Sequence, residues 1–141
     1  MSYFLTGASG FIGGNLVPLL LRRTARRRAG EEIVMLVRAS SLARLNERIE
    51  HWSAGSAAAR RRLRPVVGDL HEPMLGLEEA LVAELRERGI RHFFHLAAVY
   101  DMRAGEETNH LANVEGTQHA LALAAAIRAR VFHHVSSVAV A

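Results

Sequence analysis

Ser2-Tyr3-Phe4-Leu5-Thr6-Gly7-Ala8-Ser9-Gly10-Phe11-Ile12-Gly13 decides the fold of this chain. A short apolar strand runs into three glycines spaced G-x-x-G-x-x-G and then into a helical pattern. Gly7 lets the chain turn sharply off the strand, Gly10 removes a Cβ where a pyrophosphate would approach the backbone, and Gly13 lets the helix lie close on the sheet. The free N–H groups of the helix N-terminus then point at the phosphates. Glycine turns occur in many settings, and the motif carries weight here because strand, turn and helix all fall where a dinucleotide cradle demands them.

Outward from this stretch, apolar runs alternate with amphipathic helical runs to the end of the chain, which predicts an α/β fold built on a parallel sheet. Strands are expected at Tyr3 to Thr6, Ile33 to Arg38, Leu63 to Val67, His92 to Leu96 and Val131 to Val138. Most are continuous apolar runs, as befits strands covered by helices on both faces. Helices are expected at Phe11 to Arg23, Leu42 to Trp52, Leu77 to Arg88 and Glu106 to Ala129. Pro18, inside the first helix, predicts a local kink because it presses on the carbonyl of Gly14. The result is one doubly wound, Rossmann-type domain over residues 1–141 with right-handed crossovers. The chain stops at an apolar strand with no covering helix, so continuation past Ala141 is expected.

Of the 141 residues, 50% are apolar and none is cysteine, so neither a disulfide nor a thiolate metal site can form. No apolar run approaches the ~18 residues of a membrane span, and the chain is expected to be cytoplasmic. The net charge of +4 raises nucleic-acid binding. Its distribution argues against it: the arginines gather as Arg22, Arg23 and Arg26 to Arg28 at a helix end, and as Arg60 to Arg62 and Arg64 before the third strand. Cations there complement a helix dipole and keep a surface solvated, and no aromatic residues interleave to stack on bases. His92 and His95, like His133 and His134, face opposite sides of their strands and lack a carboxylate at ligand spacing, so no metal site is expected.

Four further motifs follow the glycines in order: Gly68-Asp69-Leu70, His95-Leu96-Ala97-Ala98, Asn113-Val114-Glu115-Gly116-Thr117 and Val135-Ser136-Ser137. With them the whole chain resembles the extended short-chain dehydrogenase/reductase superfamily. The wording of His95 to Asp101 and of Ser136 to Ala141 is most similar to the male sterility branch, which holds fatty acyl-CoA reductases and thioester reductase domains. The resemblance implies that backbone amides around Ser9, Phe11 and Ile12 hold the pyrophosphate, that Asp69 and Leu70 flank the adenine, and that Leu96, Ala97 and Ala98 line the passage of the cofactor. The alternative for Asp69 is a turn or cap residue, since Gly-Asp is a common turn pair, and small alanines also serve tight packing. Asn113 and Thr117 share a helical face. By resemblance Asn113 helps organise the active site; the alternative is an asparagine satisfied by backbone. Ser137 corresponds to the catalytic hydroxyl that donates to a substrate carbonyl, with Ser136 on the opposite strand face in a structural role.

Arg38, at the end of the second strand, stands where NAD binders carry an acidic residue for the ribose 2′-OH. A guanidinium there suits a 2′-phosphate, with Arg44 assisting. NADP(H) is therefore the expected cofactor, with NAD(H) second. The family's proton donor, Tyr-x-x-x-Lys, is absent: the chain has no lysine, and Tyr3 and Tyr100 are followed four residues on by Gly7 and Ala104. The 141 residues are thus expected to bind nucleotide without turnover, as part of a reductase of acyl thioesters or other small carbonyl compounds; the resemblance further implies a homodimer formed through helices, the long one at Glu106 to Ala129 included. A non-catalytic nucleotide-binding module and a sugar-nucleotide epimerase or dehydratase share the motifs found here.

Overall fold

A computed structural model describes residues 2–25, 30–98 and 111–136. The elements are β1 (Ser2–Thr6), α1 (Phe11–Ala25), β2 (Ile33–Val37), α2 (Leu42–Ser53), α3 (Ala57–Arg60), β3 (Leu63–Val67), α4 (Glu79–Arg88), β4 (Ile90–His95), α5 (Gly116–Ala126) and β5 (Val131–His134). All strand pairings are parallel, in the order β3-β2-β1-β4-β5. The chain winds outward from β1 through β2 to β3, then returns to the other side of β1 for β4 and β5. This is the Rossmann-type doubly wound sheet the alternation predicts.

The apolar strands hide an alternation that divides the core in two. On one face Tyr3, Leu5, Ile33, Met35 and Val37 pack with Val17 and Leu21 of α1 and Leu45 and Ile49 of α2. On the other, Phe4, Val34, Leu36 and Phe93 pack with Leu85 of α4 and Ala120 and Leu123 of α5. Successive side chains of a strand point to opposite faces, so a strand apolar at every position needs helices on both sides.

Several boundaries differ from expectation. β2 ends at Val37, because Arg38 is the extended residue before a 3-10 turn at Ala39–Ser41. β4 covers Ile90–His95, two residues earlier than predicted at its start and one at its end. The fourth helix starts at Glu79: Leu77 is extended and buried, an apolar residue serving the core from a loop. The long helix begins within the described residues as a π turn, Leu111–Glu115, followed by α5, and Glu106 to His110 lie outside them. β5 stops at His134, which leaves Val135 and Ser136 beyond the strand and removes the strand-face argument made for Ser136. α1 runs through Pro18 as one element. The short α3 was not anticipated; Ser56 caps it by accepting from the Ala59 N–H at 3.3 Å.

Much of the second arginine run is used inside the fold. Arg60 pairs with Glu50 at 2.8 Å, Arg62 donates to the Thr24 carbonyl, and Arg64 forks onto Glu84 at 2.7 and 3.1 Å. The Arg64 fork ties α4 to β3, and Arg88 of α4 itself also reaches Glu84 at 2.7 Å. No helix among the described residues is long and apolar enough to cross a membrane.

Candidate functional site

The strand order reverses between β1 and β4, and helices diverge there to leave a crevice beyond the carboxyl ends of the strands. A cleft of about 280 Å³ occupies that place, walled by the exits of β1, β2, β3 and β4. Its floor is the glycine turn. Gly7 has φ +71°, a left-handed conformation that glycine adopts without strain, and a Cβ there would lie 2.7 Å from the Ala97 nitrogen. A Cβ on Gly13 would fall 2.3 Å from the Gly7 oxygen and 2.6 Å from the Ala8 Cα, so what this glycine admits is the close seating of the helix on the turn after β1. A Cβ on Gly10 would meet only the Gly7 oxygen, at 3.2 Å. Gly10 is exposed and leaves the backbone bare toward the cleft.

On the β2 side Arg38, Ser41 and Arg44 line the cleft. None of the ion pairs among the described residues involves either arginine. One turn beyond Arg44 on α2, Arg48 reaches to α1, where a Cβ on Gly14 would lie 2.5 Å from its Nη1. On the β3 side Gly68, Asp69, Leu70 and His71 complete the wall. Asp69 sits in a turn and also lines the cleft. Its Oδ1 accepts from the His71 N–H at 3.0 Å, an Asx turn, while the residue faces the cleft. Leu70 is held from behind, its carbonyl 2.9 Å from His119 Nδ1 on α5. Below them Met74 and Leu75 are left-handed, φ +54° and +59°, in a turn against which Gly68 packs without room for a Cβ.

The β4 side is built on a buried hydrogen-bond chain. Thr6 Oγ1 lies 2.9 Å from His95 Nδ1 and accepts from the N–H groups of Leu96 and Ala97 at 3.2 and 3.3 Å. His95 Nε2 lies 3.3 Å from Thr117 Oγ1, which donates to the Asn113 carbonyl at 2.6 Å. His95 is 1% exposed, and burial, helped by the neighbouring His134, lowers its pKa to about 4. It is neutral near pH 7. His92 points to the other face of the sheet, 3.0 Å from His133, and burial lowers its pKa as well. Among the described residues no group of three or more potential ligands could hold a metal ion.

Of the residues singled out in the sequence, Gly7, Ser9, Gly10, Arg38, Asp69, Leu70, Leu96, Ala97 and Ala98 converge on this cleft. Phe11, Ile12 and Gly13 form the first turn of α1 rather than the lining. Phe11 is 89% exposed and Ile12 is exposed beside it. Asn113 joins through its carbonyl and Thr117, away from the lining. Ser137 and Tyr100 lie outside the described residues. Sequence reasoning missed Thr6, Ser41, His71 and the joining role of His95, although Thr6 immediately precedes the glycine turn. A dinucleotide fits these features: a turn without Cβ atoms at Gly7 and Gly10, a helix start with no acidic residue in its first turn, and two guanidinium groups in no ion pair with a carboxylate among the described residues.

Residues 5–141 match the family described as "Male sterility protein". The chain is 39% identical to an isonitrile lipopeptide synthase of Streptomyces coeruleorubidus over 97% of its length, and 33% identical to an aldehyde reductase of Aspergillus flavus over 96%. It spans 9% and 13% of those two proteins. Among solved structures, the terminal R domain of the myxalamid PKS-NRPS pathway superposes with a TM-score of 0.80 at 35% identity. That likeness covers 99% of this chain and 35% of the R domain.

Proposed function

Because this chain belongs to the male sterility protein family of the extended short-chain dehydrogenases/reductases, we propose that it forms the NADP(H)-binding part of a reductase acting on an acyl thioester. The observation that carries the choice of cofactor is the pair Arg38 and Arg44 on the β2 wall, which no carboxylate among the described residues neutralises. Guanidinium forks match phosphate oxygens, whereas a ribose 2′-OH calls for a carboxylate. In this reading the amides at the start of α1 receive the pyrophosphate, and Asp69 and Leu70 flank the adenine. Leu96, Ala97 and Ala98 guide the remainder across the β4 exit. The bound nicotinamide supplies hydride. Ser137 donates a hydrogen bond to the substrate carbonyl oxygen as negative charge develops there. Likeness to an aldehyde reductase and to a terminal R domain favours reduction over epimerase, dehydratase and non-catalytic readings. A cytoplasmic location and a homodimer belong to the same proposal, the dimer resting on the exposed Val114 and Leu121 along the α5 region.

The test is titration with NADPH and NADH, followed by fluorescence. Tighter binding of NADPH is expected, and Arg38→Asp should invert the order by weakening NADPH about tenfold or more, the scale of a lost charged hydrogen bond. An unchanged ratio of the two affinities would remove the NADP(H) assignment. In the full-length protein, oxidation of NADPH on adding an acyl thioester tests the reaction, and its absence with a series of chain lengths would overturn it.

A further inference from the structure

The hydrogen-bond chain through His95 has only one self-consistent direction. A hydroxyl donates once and accepts twice. Both acceptor positions of Thr6 Oγ1 are taken by the Leu96 and Ala97 amides, so its proton goes to His95 Nδ1, 2.9 Å away. Nδ1 is therefore bare and the ring proton sits on Nε2, donated to Thr117 Oγ1. The Thr117 proton goes in turn to the Asn113 carbonyl. Every donor is used once, from the α5 region to the cleft wall. An imidazolium would place an N–H against Thr6 Oγ1, which could accept it only by releasing a backbone amide.

We infer that His95, held as the neutral Nε2–H tautomer, is a positioning residue that locks the Leu96–Ala97 wall of the cofactor cleft to the helix carrying Asn113 and Thr117. It acts through Thr6. By drawing the hydroxyl proton away, the ring turns both Oγ1 lone pairs onto the two amides that set where the β4 exit lies against Gly7. The wall has little slack there, since a Cβ on Gly7 would already touch the Ala97 nitrogen. Among the described residues the groups packed around the ring are Thr6 from β1, Thr117 from α5, and Phe132 and His134 from β5. Of these His134 is the ionisable one, and a charge on it opposes protonation of His95. This inference rests on the cleft being the nicotinamide-cofactor site.

The full-length protein with 15N-labelled histidine gives the direct test. Imidazole spectra at pH 7 should show His95 with a protonated Nε2 and a bare Nδ1. Thr117→Val removes the acceptor at the far end of the chain without touching the cleft lining. It should mix the two tautomers and weaken NADPH binding about tenfold, the scale of one buried hydrogen bond. Thr117→Ser, which keeps the hydroxyl, should restore both. A wild-type ring protonated on Nδ1 overturns the inference, as does a Thr117→Val protein with wild-type affinity. Equal impairment of the Val and Ser variants overturns it too, because it would assign the effect to packing. Wild-type protein that binds neither NADPH nor NADH overturns the cofactor reading and this inference together. Normal binding with an insensitive Thr117 overturns this inference alone.

Discussion

Gly13 and Gly14 are neighbours in sequence and in the same turn of helix, yet a methyl group on each meets different matter. On Gly13 it would strike the Gly7 oxygen and the Ala8 Cα, both backbone, at 2.3 and 2.6 Å. On Gly14 it would meet only the tip of Arg48. Backbone cannot step aside without moving the cradle, whereas a guanidinium swings on a flexible stem. Gly13→Ala is expected to cost ~1–3 kcal/mol, the usual range for overpacking, and to abolish nucleotide binding. Gly14→Ala should leave stability unchanged or raise it by up to ~1 kcal/mol through helix propensity. Urea denaturation of the two variants checks this, and equal losses would contradict the geometry. At this scale the sequence discloses what is local. The spacing of Gly7, Gly10 and Gly13 is a statement about one turn, so it can be read directly. The Thr6–His95 bond joins residues 89 apart and leaves no periodic trace, so the brace behind the β4 wall came to light only with the fold, although Leu96, Ala97 and Ala98 were legible as its lining.

Among the elements, α4 is fastened by charge as well as by apolar contact. Glu84 takes hydrogen bonds from Arg64 on β3 and from Arg88 one turn along its own helix. Arg88 Nη1 and Arg64 Nη1 also lie 3.2 and 3.9 Å from Glu32 Oε1 just before β2, close enough for attraction though not aligned for hydrogen bonds. The two arginines hold the Glu84 carboxyl down at about 2, from an ordinary 4.5. Its folded-state pKa is depressed, so its contribution to stability is complete above about 4.5 and is lost as pH falls toward 2. Glu84→Gln should flatten the decline of stability across that interval and lower stability modestly at pH 7, because the pair is solvent-accessible. Urea midpoints measured at several pH values between 2 and 7 check it; parallel acid limbs for the two proteins would refute it. Helices and strands with a clear apolar rhythm were legible in advance, whereas the segment leading into α4 was not. Leu77 fits the helical rhythm yet packs as an extended residue, behind a turn in which Met74 and Leu75 are left-handed. Side chains of that kind rarely adopt such backbone angles, so composition gave no sign of the turn.

For the molecule as a whole, strands rich in apolar residues and separated by amphipathic helices leave a doubly wound sheet as the natural solution, which is why the architecture was legible from the chain alone. Which loops meet beyond the strand ends depends on the return from β3 to β4, and this brings Arg38, Asp69 and Ala97 from three separate stretches to one cleft. The same return has a consequence for the time course of folding. The Thr6–His95 clasp closes only after β4 docks beside β1, so a chain without that docking has no cleft to offer a nucleotide. If the cleft is absent from the folding transition state, saturating NADPH should slow unfolding and leave the refolding rate unchanged. Stopped-flow chevrons with and without nucleotide would show the unfolding arm displaced and the folding arm superimposed. A faster refolding arm would mean that β1 and β4 meet before the barrier, making the clasp an early event in the life of the chain.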